Sequence, residues 1–300
     1  MHALPEELAD RSFTVEEGLR AGLSRWQLDR SGLRVPLRGL RTGRSISDDA
    51  AARCQEIRPI LGKGAVFSHA TALDLLGVDR PHGLRRADAL HIEVPIGSSR
   101  PRHRGIVVHT RQRSRVPVML RDGLPVTVPE RLFVQLVSEV SPCEAVVLAD
   151  ALLRRRGALT SVRMLRSHLE RLPPWTRGVR RAAAALADAR SGTDSPQESR
   201  LRWAIVRAGL PCPEVNTPVL DAAGRVVALP DLSSPDRRLA IEYDGDVHRV
   251  DRRIWRRDIT RRQNLEALGW RIITCTGDDL PDADRALARI RAVLSRPTPS

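Results

Sequence analysis

Lysine is nearly missing from this chain: Lys63 is the only one among fifty basic residues, and the others are arginine. Such arginine dominance points to a GC-rich coding bias, so part of the net charge of +14 follows from composition. The remaining excess, with a pI of about 11.2, still favours a polyanionic partner, and nucleic acid before any other. Cysteine occurs four times, at Cys54, Cys143, Cys212 and Cys275, with no C-x-x-C pair. That spacing argues against a disulfide framework or a cysteine zinc site and for reduced thiols in a cytoplasmic setting. No apolar run approaches the length of a membrane span, and acidic residues near the start replace the apolar core of a leader. Gly-rich phosphate loops, G-x-S-x-G elbows and Cys-His nucleophile patterns are missing as well.

What is present is concentrated between residues 226 and 274. Two short apolar runs flank the turn signal Ser233-Ser234-Pro235-Asp236, which reads as a β-hairpin. In the second run Leu239, Ile241 and Tyr243 alternate with Ala240, Glu242 and Asp244, so the two acids share one strand face. With Asp236 and Arg237 at the tip, Asp231 falls opposite Glu242, with Cβ atoms about 5 Å apart. Three carboxylates then converge at one end of the hairpin, where a divalent cation would relieve their repulsion. His248 follows four residues after Asp244, past Gly245. Residues 252–267 have helical spacing, with Asp258 and Arg262 at i and i+4 on the inward row, and Gly269 ends the helix. Trp270 then opens another strand.

The pattern P-D, E-Y-D-G-x-x-H, then R-D-I-x-R-R-x-x-L-x-x-L-G-W-R resembles the very-short-patch-repair endonuclease group. It is closer still to a related endonuclease-like domain of unknown function, and both belong to the PD-(D/E)xK restriction-endonuclease superfamily. The similarity covers about residues 195–294. It implies a central mixed sheet flanked by helices and a metal-dependent endonuclease that hydrolyses phosphodiester bonds, with Mg²⁺ or Mn²⁺ as cofactor. The catalytic residues implied are Asp231, Glu242, Asp244, His248 and Glu198, and the metal ligands Asp231, Glu242 and Glu198. Glu198 takes the place of an acidic residue on the first helix of that fold. A carboxylate in a first helical turn is also favourable without any site. Where the wider superfamily carries lysine, two residues after the glutamate, this chain has Asp244. His248 is then the best general base, and Arg262 a cation without base capacity.

Earlier in the chain, Thr14 with Glu17 has capping-box spacing, and Ser24 caps a second helix from Arg25 to about Ser31. Residues 35–41 read as a β wing. Helix, glycine turn, helix and wing is the order of a winged helix-turn-helix. Arg25, Gln27 and Arg30 are placed outward for DNA, Trp26 and Leu28 for packing, and Arg34, Arg38, Arg41 and Arg44 for phosphates. A helical hairpin that only packs on its neighbour is the plainer alternative. The segment G-L-S-R-W-Q-L-D-R…P-L-R-G-L, followed by S-H-A-T-A-L-D-L-L-G, resembles the N-terminal region of AbiEi-type antitoxins over about residues 8–165. That resemblance implies an operator-binding repressor with a toxin–antitoxin or defence-operon partner.

Residues 46–190 mix helices (48–61, 68–76 capped by Ser68, 129–140, 143–154, 177–190) with strands (89–95, 105–110). His69, His91 and His109 are scattered through them and read first as hydrogen-bonded structural residues, with a histidine metal site as the alternative. The loop 100–104 is either a phosphate contact or a solvated turn. Residues 191–196 are small and polar, like a linker. The organisation expected is α/β of the α+β kind: a winged helix-turn-helix at 1–45, an antitoxin-like region at 46–190 and the endonuclease-like domain at 195–296. Two functions compete: a DNA endonuclease delivered to duplex DNA by its N-terminal module, or a DNA-binding regulator whose nuclease fold is silent.

Overall fold

The computed structural model describes residues 4–30, 32–43, 45, 49–84, 88–112, 116–244, 252–277 and 284–295, without the side chains of 30 and 252–259. The protein is α+β, built as two compact units: Met1–Arg80 with Leu84–Gln135, and Pro81–Gly83 with Leu136–Ser300. No helix among the described residues is long and apolar enough to cross a membrane.

The first unit opens with α1 (Glu6–Ala9), β1 (Phe13–Thr14), α2 (Val15–Arg20), α3 (Arg25–Arg30) and β2 (Leu40–Arg41). Both helix starts are fixed by reciprocal side-chain bonds. Thr14 Oγ1 accepts from Glu17 N at 3.0 Å while Glu17 accepts from Thr14 N at 2.7 Å. Ser24 and Gln27 repeat the arrangement at α3, at 2.8 and 3.2 Å. Removing the first cap with Thr14→Ala is expected to cost about 1 kcal/mol, read as a lower denaturation midpoint with an unchanged native spectrum. β1 and β2 pair antiparallel, and an Arg34–Thr42 bridge extends the pair into a small wing. Leu8, Phe13 and Leu28 form the core of this module. Trp26 does not join it, being 68% exposed. Two residues before buried Leu28, Trp26 lies about 200° round the helix from the core side.

The rest of the unit is α4 (Ala50–Ile57), β3 (Val66–Phe67), α5 (His69–Leu75), β4 (Leu90–Pro95), β5 (Ile106–Arg111), β6 (Val118–Arg121) and β7 (Leu124–Thr127), with α6 (Pro129–Leu136) following. Asp49 caps α4, which ends earlier than its sequence pattern because Pro59 has no N–H to continue it. The sheet order is β5-β4-β3-β7-β6. Three of these strands lack a sequence counterpart above, and β6 and β7 are joined through Asp122 and Gly123, both at positive φ.

The second unit starts with α7 (Pro142–Leu152), α8 (Val162–Glu170), α9 (Val179–Asp188) and α10 (Pro196–Arg207). The segment 191–196 is integrated into this unit. Gly192 N donates to Leu153 O at 3.1 Å, Arg155 N donates to Thr193 O at 3.2 Å, and Thr193 is buried. Two ion pairs tie α10 to α7: Arg200 holds Glu144 at 2.7 and 2.9 Å, and buried Arg202 holds buried Asp150 at 2.7 Å. Then come β8 (Glu214–Val215), β9 (Val219–Leu220), β10 (Val226–Ala228), β11 (Leu232–Ser234), β12 (Leu239–Asp244), α11 (Arg252–Ala267), β13 (Arg271–Thr276) and α12 (Asp284–Leu294). The four-stranded mixed sheet runs β13-β12-β11-β8, with β12 and β13 parallel. Leu232, Leu239 and Ile241 pack with α10 and α12, while Ala240 packs with Leu265 of α11, so helices cover both faces. The hairpin is β11–β12. The earlier apolar run, β10, pairs instead with β9.

Candidate active site

The hairpin register is Leu232↔Ile241, Ser233↔Ala240 and Ser234↔Leu239, and its continuation sets Asp231 opposite Glu242. A short helical turn at Pro235–Arg237 and Arg238 at φ +44° close the tip. Alternation along β12 turns Leu239, Ile241 and Tyr243 to one core and Ala240 and Glu242 to the α11 side. The backbone thus places Asp231 and Glu242 together, as their spacing in the sequence dictates.

Each acid is held by particular donors. Tyr243 N donates to Asp231 Oδ2 at 2.8 Å. Arg261 Nη2, from α11, reaches Glu242 Oε2 at 2.9 Å. Glu198 sits buried in the first turn of α10, whose N-cap Ser195 accepts from its N–H. Its Oε2 accepts from Asp194 N and Asn216 Nδ2, both at 3.0 Å. Asn216, at φ +46°, also bonds Gly192 O with its amide and Asp231 O with its N–H. Arg155 pairs with Asp194, Nε to Oδ2 at 2.9 Å, and feels Glu198 and Asp231 beyond it.

These carboxylates are held under electrostatic load. Burial raises Glu198 above its ordinary pKa and the charge of Asp231 adds to this, while the bonds from Asp194, Ser195 and Asn216 lower it. Burial also raises Asp231, against the Tyr243 N–H and the Arg261 and Arg155 charges, with Asp194 pushing the same way as burial. An all-carboxylate donor set of this kind fits a hard divalent cation. The fit is to two protein ligands rather than three. Among the described residues, the group of three metal-binding side chains with every ligand atom within 4.8 Å is His69, His91 and His109 in the first unit. Asp231 and Glu242 would therefore hold an ion with water filling its shell, as Mg²⁺ commonly accepts. Among the described residues, Asp231, Glu242 and Asp244 do not close into such a group, and Asp244 lies exposed at the end of β12. Glu198 instead bonds Asp194 N and Asn216 Nδ2.

His248 and the Asp258 side chain lie outside the described residues. The cations that act on the acids are Arg261 and Arg155, and Arg262 Nη2 bonds Oγ1 of Thr274, the register partner of Glu242, at 3.1 Å. Arg261, Arg155, Asp194 and Asn216 were not legible from spacing. Arg261 stands four residues before buried Leu265, which is the one sequence signal for its inward face.

In the first unit Arg25 and Arg38 are exposed. Gln27 is turned back to the Ser24 cap by its side-chain oxygen. Arg41 is spent on structure, bonding Leu28 O and Leu40 O and pairing with Asp29 at 2.7 Å. Arg34 likewise pairs with Glu56. The Arg30 side chain and Arg44 lie outside the described residues.

Two proteins of Mycobacterium tuberculosis, from strains CDC 1551 / Oshkosh and ATCC 25618 / H37Rv, are each 31% identical to this chain over 254 residues. The match covers 83% of this chain and 88% of theirs, and both carry the name "uncharacterized protein". No family model matches the chain. No solved structure matches it.

Proposed function

The chain belongs to the family of these two mycobacterial proteins, and within it we propose a metal-dependent DNA endonuclease whose N-terminal module contacts duplex DNA. The observation that carries this reading is Asp231 held opposite Glu242 on adjacent antiparallel strands, with buried Glu198 behind them. Asp231 and Glu242 would hold Mg²⁺ or Mn²⁺. A bound ion of this class polarises a phosphate, lowers the pKa of an attacking water and steadies the leaving oxygen. The chain's own contributions are positional. The Tyr243 N–H fixes one carboxylate oxygen of Asp231, and Arg261 orients Glu242 while bringing positive charge to where a phosphate would lie. Glu198 braces the Asp194–Asn216 corner that carries Asp231. In the first unit exposed Arg25, Arg38 and Trp26 make up the nucleic-acid face.

A second reading is an antitoxin-like transcriptional regulator with a silent nuclease fold, acting in a toxin–antitoxin or defence operon. Two observations favour it: Glu242 is already neutralised by Arg261, and Asp244 stands where a lysine would position water. Nicking of supercoiled plasmid in Mg²⁺ or Mn²⁺, set beside binding to the promoter fragment of its own operon in EDTA, separates the two. The endonuclease reading expects metal-dependent nicks. Sound promoter binding with no cleavage in either metal would establish the regulator instead.

A further inference from the structure

We propose that His69, His91 and His109 bind one borderline-soft divalent transition-metal ion, Zn²⁺ foremost, within the first unit. The three come from separate elements: the start of α5, and the neighbouring parallel strands β4 and β5. Their ligand nitrogens all lie within 4.8 Å of one another. His91 Nδ1 is 3.0 Å from His109 Nε2, close to the roughly 3.3 Å that two nitrogens span across a tetrahedral ion with bonds of about 2.0–2.1 Å. Imidazole nitrogen suits Zn²⁺, Ni²⁺ or Cu²⁺ and is a poor match for Mg²⁺. The ion would thus be distinct in class from one held by Asp231 and Glu242.

The surroundings are built rather than incidental. His69, the first residue of α5, has φ +51°, an uncommon conformation for a residue with a Cβ. Ser68 makes no side-chain bond to the helix it precedes, and its hydroxyl lies 3.0 Å from His69 Nδ1 instead. That contact fixes the ring and leaves Nε2 for a ligand, the outer-sphere role that metal-bound histidines usually enlist. Thr71 Oγ1 accepts from His91 N at 2.7 Å and so anchors the strand beside it. Glu93 is the register partner of His109 and shares its sheet face. One of its oxygens pairs with Arg131, and Oε2 is buried without a hydrogen-bond partner. Burial first, then the neighbouring imidazoles, holds His69 and His109 below the usual imidazole range, at about 2 and about 4. An ion would replace the hydrogen bond that His91 Nδ1 and His109 Nε2 now share, displacing its proton. His69 and His91 are buried, while His109 is half-buried and offers an entry path. The His69 and His109 rings stack at 3.6 Å. Binding requires them to tilt apart about χ2, a soft torsion in histidine.

The test uses the full chain, stripped with EDTA and dialysed. Titration with Zn²⁺ is expected to give one tightly bound equivalent and a higher thermal midpoint, with no such rise in Mg²⁺. Co²⁺ should give the visible absorption of a low-symmetry site. His109→Gln, whose side chain is half-exposed, is expected to weaken Zn²⁺ by more than about 100-fold. An Asp231→Asn/Glu242→Gln double variant should keep the full equivalent. Should His109→Gln not fold, Zn²⁺ protection of His109 against diethyl pyrocarbonate, read by peptide mass in the unaltered chain, decides in its place. No bound equivalent in the folded wild type overturns the proposal. Zn²⁺ retained by folded His109→Gln, or failure to protect His109, overturns it equally.

Discussion

Asp231→Asn is expected to lower Mg²⁺-dependent plasmid nicking by about 10³-fold, and Glu242→Gln by a similar factor. Removing a charged ligand forfeits several kcal/mol of transition-state stabilisation, and each 1.36 kcal/mol is a factor of ten. Both replacements keep the shape. In Asp231→Asn the side-chain amide oxygen can still accept from Tyr243 N, so the bond at 2.8 Å survives. Loss of stability is not expected either, because burial disfavours the charged form of Asp231 in the fold. A neutral isostere removes that burden, and its thermal midpoint should equal or exceed the wild type. Activity lost with stability kept is the pattern of a charge retained for chemistry. Nicking that persists unchanged in both variants would place the cleavage elsewhere, including in a contaminant.

Where the sequence was informative, a short-range physical rule was at work. Period-2 alternation and one turn signal were enough to align Asp231 with Glu242, since the register of a hairpin follows from its tip. Thr14 and Ser24 advertised helix starts because capping is decided within four residues. Pairings at long range were not legible. β3 is two residues long and has meaning only between β4 and β7. β6 and β7 carried the Asp122-Gly123 signal, yet Val118 and Leu120 are exposed on an edge strand and give no burial alternation. Ser68 had the residue type of a cap but serves His69, a role visible only once β4 and β5 bring two more imidazoles beside it. The candidate acids divide the same way. Asp231 and Glu242 came from strand geometry, whereas their counter-charges come from Arg261 on α11 and Arg155 beyond α7, chosen by packing.

Arg202→Met carries the largest expected effect on stability. The guanidinium is 1% exposed and the Asp150 carboxylate fully buried, and their bond joins α10 to α7. Arg202 also donates to Asp188 O at 2.7 Å, while Asp150 accepts from Arg190 N at 2.7 Å. Methionine fills much of the same volume but leaves a buried carboxylate without its cation, a loss of about 3–5 kcal/mol. For a unit of this size that is a fall of roughly 6–20 °C in midpoint, at about 2–4 °C per kcal/mol. The pH dependence has a definite sign. Burial already raises Asp150 above 3.8 despite Arg202, and without the cation it must rise further. The folded variant then binds a proton that the unfolded chain lacks between pH 3.8 and the raised value. Its stability therefore falls as pH rises through that window, and its deficit against wild type narrows as pH drops. Adding Asp150→Leu should recover most of the loss, because a packed apolar pair can replace a buried ion pair at little cost. Denaturant melts of the wild type and both variants at neutral and acidic pH read all of this. A deficit in Arg202→Met that is independent of pH would mean that lost packing, not the orphaned charge, is the cause.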